Sequence, residues 1–528
     1  SWHRVRSGQP AVATLERLVT DEAHQLRITE ILEPIYRASD EWRKLVAVLE
    51  AQARANEDAS EKSRLLAEVA RLHEERGGDP SLAFDAWSRA FEIDPYADEA
   101  RDEVDRLADE LGRWEELVKV YERAAERSAE EPHRAAELLE HVARIYDERL
   151  GDTTAAIATY TRLAELVPDD PAPLDALEGL QTMNGDWLGL VDVLERKVER
   201  EMDPIARGEL LRRAASVVEE LVVDPERAIQ LYARAAAEDE TDTAALVALD
   251  RLYTQAANHA ALAEVLERLV ELQDSDAERV ALGPRLASVY ELQLEDADKA
   301  IEALRGVTSI VPDHGEALGS LARLFERRGE YRDYVDVVRT MASYADGAER
   351  VSLVHRVGEV LERKLDDVDE AIATYEEALG LDPAHAPSRE ALLRIAQLEQ
   401  HRENAAQILE PLLREQGRFD DLAGLLELRA AGASDPFEKR ERLRELAIVH
   451  DTGRRDERAA FDAYARAFAE DPADEEILAE LDRLADATGQ HGALADLLER
   501  SALGASDPEV AVRLFARAAE LAERNLGD

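Results

Sequence analysis

The feature that most constrains how this chain can fold is a repeat. The stretch LGDTTAAIATYTRLAELVPDD, residues 150–170, returns as LDDVDEAIATYEEALGLDPAH at 365–385. Aspartates that precede helices rich in small residues stand at Asp79, Asp152, Asp224, Asp296, Asp367, Asp456 and Asp528. Their spacing is about 72 residues, with one interval longer by about 17. A second series, an aromatic or histidine just after a turn residue, runs Trp42, Trp114, Trp187, His259, Tyr331, Phe419 and His491, and breaks at the same place. Two separate landmarks that share a period and an interruption define structural repeats. Units of this kind bury their apolar faces against neighbours, so the chain is read as a stack.

Each unit reads as four helices, because apolar residues recur at spacings of three and four while Gly, Asp and Pro mark the joints. In EPHRAAELLEHVARIYDERL, residues 131–150, the residues Leu138, Leu139, Val142, Ile145 and Tyr146 form one stripe. Arg144, Asp147 and Glu148 lie off it, the pattern of a helix with one buried face. Gly151 and Asp152 end that helix and cap the next, which puts Ala156, Tyr160 and Leu163 on one side before Pro168 closes the hairpin. About seven such units predict roughly 28 helices and almost no strand.

The interruption also repeats. ILEPIYRASDEW at 31–42 matches ILEPLLREQGRF at 408–419, each with a proline, Pro34 or Pro411, inside an apparent helix. One added helix reverses the parity of an up-and-down array. The expected organisation is a solenoid of four-helix units over 1–400, an inserted helix and kink at 401–418, and a continuing solenoid over 419–528. The end, at Gly527 and Asp528, falls on the turn that opens a hairpin at Gly151, which reads as truncation of a longer repeat protein. An exposed apolar stripe is then expected through Val510, Leu514, Ala518 and Leu521, with self-association through uncapped ends.

One set of residues carries a family resemblance. A small residue, a larger one three on, then Ala, an aromatic four later and a Pro after that appear as Ala143, Tyr146, Ala156, Tyr160 and Pro168. The set returns as Ala70, His73, Ala83, Trp87 and Pro95, as Gly358, Leu361, Ala371, Tyr375 and Pro383, and as Ala447, His450, Ala460, Tyr464 and Pro472. Weaker copies are Ala215, Val218, Ala228 and Tyr232, and Ala287, Tyr290, Ala300 and Pro312 with Leu304 for the aromatic. This resembles the tetratricopeptide repeat, with a turn one residue longer than that family's usual spacing. The resemblance implies an all-α fold, a right-handed TPR-like α-α superhelix (solenoid) of antiparallel helix pairs. The alternate hairpins, such as 101–126 with Leu117 and Val118 where a small residue is expected, are only similar to it.

Composition removes whole classes of function. With 116 acidic against 65 basic residues the net charge is -51, so the surface repels phosphate, and neither nucleic acid nor an anionic membrane is an expected partner. There is no cysteine, and no apolar run reaches the roughly 20 residues that span a bilayer. The opening SWHRVRSGQPAVATLERLV lacks the continuous apolar run of a signal peptide. The compartment stays open, with the cytoplasm favoured over the periplasm. No GxxxxGK[ST], HExxH or GxSxG occurs, so no catalytic, cofactor-binding or metal residue is assigned and the chain is read as a non-enzyme.

Weaker candidates have plain explanations. AEDETDTAAL, residues 237–246, lacks the glycine and terminal glutamate of a calcium loop. Asp94, Asp382 and Asp471 before proline read as capping residues, and the aromatic series reads as core rather than as a sugar-stacking ladder. Tetratricopeptide domains that clamp a carboxylate use asparagine and basic residues. Here the residues after each small position are Arg71, Arg144, Ser216, Ser288, Glu359 and Ile448, never asparagine, and that clamp is not expected. The expected function is a non-catalytic protein-interaction scaffold or adaptor in a multiprotein assembly, binding other proteins through basic segments that dock on an acidic groove. The alternative is a substrate-presenting or regulatory arm of an enzyme or of an extracytoplasmic polysaccharide-handling machine.

Overall fold

Helix boundaries fall on the punctuation residues. The computed structural model describes residues 12–17 and 25–526, and between Gln25 and Leu521 it holds 28 α-helices, with no strand among the described residues. Repeat one is typical: Trp42–Ala55, Ala59–Leu72, Pro80–Ile93 and Asp98–Leu111. Each first helix opens on a member of the aromatic series, from Trp42 to His491. Two helices stand outside the four-helix units, Gln25–Ser39 and Arg402–Glu415, and both contain the expected proline, Pro34 or Pro411. The fold is an all-α, TPR-like solenoid of antiparallel helix pairs.

Two kinds of turn alternate along the chain, and they explain the long spacing. From fourth to first helix the return bond spans five residues, as in Asp186 N–H to Gln181 at 3.0 Å and Glu330 N–H to Phe325 at 2.9 Å. From second to third helix it spans six: Asp79 to His73, Asp152 to Tyr146, Asp224 to Val218, Asp296 to Tyr290, Asp367 to Leu361 and Asp456 to His450. The extra residue is absorbed by widening the last helical turn, which is π-helical at His73–Gly77, Tyr146–Leu150, Val218–Val222 and Val449–Arg454. The aspartate of the 72-residue series then caps the third helix. Its carboxylate accepts from the backbone N–H of Ala155 at Asp152, of Arg227 at Asp224 and of Glu370 at Asp367, each cap worth about 1 kcal/mol.

The residue before each of these aspartates is left-handed, yet only Gly78 and Gly151 are glycine; Val223, Glu295, Asp366 and Arg455 hold φ between 54° and 61°. Val223 is the most strained chemically, since its branched Cβ crowds the backbone in that region. It is 73% exposed, so little packing is lost on truncation. Val223→Gly is expected to stabilise the protein by about 1 kcal/mol, read as a higher urea midpoint; an unchanged or lower midpoint would refute the strain argument.

The chain divides into two compact units, Ser1–Leu272 and Gln273–Asp528. In the first, one continuous core of buried residues runs from Ile28 to Val193. Ala143 and Ala156, both fully buried, let the second and third helices of repeat two approach, and Tyr160 and Leu163 fill the space beside them. The third helix also touches the first helix of the next repeat, as Pro80–Ile93 does Trp114–Arg127, so these share a layer. In the second unit the inserted helix Arg402–Glu415 packs on Phe419–Gly432. Arg429, almost fully buried, donates to both Glu403 and Glu410 across that contact. The corresponding contact in the first unit joins Gln52 to Glu33 at 3.0 Å.

The apolar stripe expected at the C-terminal helix Pro508–Leu521 is not exposed. Leu514, Ala518 and Leu521 are buried and Val510 is half-buried, on the helix that packs against His491–Gly504. The face left open carries Phe515, 44% exposed, and Ala519. Their counterparts one period earlier, Leu443 and Ala447, are fully buried where Pro436–Ile448 meets Glu457–Glu470. A helical stripe has two neighbours to satisfy, and the spacing assigned the wrong one. Gly527 and Asp528 lie outside the described residues.

Candidate protein-binding face

The second and fourth helices of successive repeats carry a charged motif that keeps the 72-residue period. An acidic residue at the end of the second helix pairs with an arginine on the fourth: Glu74 with Arg106 at 2.7 Å, Glu362 with Arg394 at 2.9 Å, and Glu219 with Arg251 and Asp451 with Arg483 at short range. In repeats three and five the third helix supplies a tyrosine whose hydroxyl joins the pair. Tyr375 donates to Glu362 at 2.8 Å and Tyr232 to Glu219 at 3.3 Å. Hydrogen bonding from Arg251 holds Glu219 below its ordinary pKa, while burial and then the Glu219 charge push Tyr232 up to about 12. In repeat four, Glu291 takes Arg327, one turn further along. This network went unnoticed in the sequence because acidic residues are so frequent; aligning charged positions on the known period would have found it.

On this face, in repeat two, lies a cavity of about 730 Å³. Tyr160 and Leu163 of the third helix line it, together with residues from the starts of helices Pro132–Ile145 and Ala172–Asn184. Glu137, Glu140, Asp169 and Asp170 make its rim acidic.

The singled-out residues have structural employment. The aromatics that open each first helix are half-buried, neither a hidden core nor an exposed ladder. They sit against the turn between second and third helices: a Cβ on Gly77 would lie 3.3 Å from Trp42, Arg149 lies over Trp114 at 4.6 Å and Lys364 over Tyr331 at 5.6 Å. Asp94, Asp382 and Asp471 stand at helix C-termini, and their carboxylates accept from Tyr96, Ala384 and Ala473 two residues on, which fixes the turn rather than a helix start. Within 237–246, Asp239 accepts from Thr241 and Asp242 caps the next helix at Ala245. Of the would-be clamp positions, Arg71 is paired with Glu99 at 2.7 Å. Among the described residues no group of three or more His, Cys, Asp or Glu could hold a metal ion, and no helix is long and apolar enough to cross a membrane.

Tetratricopeptide-repeat family models match residues 138–174 and 352–385, two of the hairpins made by second and third helices. The chain is a TPR-like helical repeat protein. No curated protein matches it. Among solved structures it is similar to Naa15/Naa10 bound to HypK-THB, at 14% identity and a TM-score of 0.26, covering 96% of this chain but only 66% of that one. It is similar also to YrrB, described as a TPR protein with an unusual peptide-binding site, at 19% identity and a TM-score of 0.21 over 38% of this chain and 96% of that one. A third is the C-terminal part of a TPR repeat-containing protein from Cytophaga hutchinsonii, at 15% identity and a TM-score of 0.22 over 51% of this chain and 98% of that one. At these scores no activity or partner is transferred.

Proposed function

We propose that the chain is a non-catalytic scaffold or adaptor that holds protein partners of a multiprotein assembly, through basic segments docked along the face of second and fourth helices. TPR repeats in general serve protein interaction, and the observation that carries the finer reading is the acidic cavity of repeat two, on a chain with net charge -51. The inserted helix at 401–418 is read as a change of face for the repeats after it. The uncovered Phe515 and Ala519 are read as a self-association contact.

The reading has a kinetic signature. Association of a partner isolated with the chain is expected to slow about tenfold or more as salt rises from about 0.05 to 0.5 M, because screening shortens the reach of the acidic face below about 8 Å. Stopped-flow or surface-based kinetics measure this. An association rate indifferent to salt would assign the charge to solubility and the binding to apolar contacts. Phe515→Glu is expected to reduce dimer content in sedimentation; an unchanged distribution would remove the self-association reading.

A further inference from the structure

Repeat two departs from the charged motif of its neighbours in a way that leaves room for a missing partner. Its second helix ends with Asp147, in the position of Glu74, Glu219, Glu362 and Asp451. The position that carries Arg106, Arg251, Arg394 and Arg483 in those repeats is Gly179 here. A Cβ built on Gly179 meets no atom within 4 Å, so a side chain can leave this position without a clash. A second cation is gone as well. Arg212 and Arg444, on the second helices of repeats three and six, reach acids at the start of the fourth helix, Asp242 at 3.5 Å and Glu476 at 2.6 Å. Their counterpart in repeat two is Glu140.

Glu137 on the cavity rim keeps its partner Arg134 at 2.5 Å, but the acids nearest the vacated arginine place have lost theirs. Among the described residues no cation is within ion-pair distance of Glu140, Asp147 or Asp170. Beneath them Tyr160, only 9% exposed, lines the cavity with a hydroxyl that has no hydrogen-bond partner, whereas Tyr232 and Tyr375 give theirs to the acid of the pair. A carboxylate without its arginine is a strong acceptor for a charged donor, and the Tyr160 hydroxyl opens on the same space.

We propose that the open place at Gly179, next to the cavity of repeat two, is a docking site for an arginine-bearing basic segment of a partner protein, whose guanidinium sits on Asp147 and beside Tyr160, the residue this place shares with the cavity lining. The proposal rests on the scaffold reading and gives it a location and a ligand chemistry. A planar guanidinium with five donors suits the site better than an ammonium, because the repeats themselves fill the equivalent place with arginine every time.

The test uses the whole chain and an N-acetylated, C-amidated hexa-arginine peptide, with the hexa-citrulline peptide as its uncharged isostere. Gly179→Arg returns the repeat's own cation to the site. Gly306→Arg, at another open helical position, adds the same charge elsewhere. Calorimetry is expected to show binding weakened about tenfold by Gly179→Arg and less than about twofold by Gly306→Arg, with citrulline failing to bind. The Tyr160 resonance of ring-labelled protein, assigned with Tyr160→Phe, should shift on adding hexa-arginine. Equal weakening by the two glycine replacements would show a bulk charge effect and overturn the site, as would a Tyr160 signal that stays fixed. These outcomes decide the site alone: a natural partner that binds elsewhere on the chain leaves the scaffold reading standing.

Discussion

Arg429→Met is expected to lose about 3 kcal/mol of stability. The guanidinium side chain is 4% exposed and bridges Glu403 and Glu410 of the inserted helix. Removing it leaves carboxylates at a buried contact with Arg414 at 3.0 Å and Arg442 at 3.6 Å as the remaining cations, so the helix Arg402–Glu415 should loosen first. The measurement is hydrogen exchange along that helix together with the urea midpoint of the full chain. The other copy of the insertion supplies a control, since it joins Gln52 to Glu33 in the same place. Arg429→Gln should therefore recover part of the loss. If Arg429→Met is neutral, the pair is not what fastens the inserted helix.

Gly358→Ala is expected to destabilise by about 2 kcal/mol, against the usual direction for glycine in a helix, where alanine gains up to about 1 kcal/mol. The added Cβ would lie 2.6 Å from Cε1 of Tyr375, a ring that is fully buried and tied to Glu362 by its hydroxyl. The ring cannot withdraw without giving up that bond. In repeat four the same place pairs Ala287 with the smaller Leu304. Gly358→Ala combined with Tyr375→Leu should accordingly cost less than the sum of the two single changes, and strict additivity in urea unfolding would reject the steric account.

How much of this could be read beforehand divides along physical lines. What distinctive residue types mark was legible: the caps at Asp152 and Asp367, the small residues Ala143 and Ala156 at the helix crossing, the prolines of the inserted helices. The longer turn was visible as a spacing at Gly151 and Asp152, but its cause, a return bond six residues long over a widened last turn, depends on backbone hydrogen bonding that spacing does not report. The partner of the stripe at Leu514 was misassigned because periodicity identifies a face without saying which neighbour covers it. The charged motif was hidden for a different reason. Glu219 and Arg251 are ordinary residues in an acidic helical chain, and only their pairing across two helices, repeated with the period, sets them apart. Gly179 carries meaning solely against that background.

The most direct measurement is zero-length carbodiimide crosslinking of the chain to a protein isolated with it, because that reagent joins only a carboxylate and an amine already in contact. The account predicts crosslinks from Glu and Asp on the second and fourth helices, concentrated around Glu140, Asp147 and Asp170, to lysines that flank an arginine in the partner. Crosslinks confined to the first and third helices, or spread evenly over the acidic residues of the chain, would contradict it.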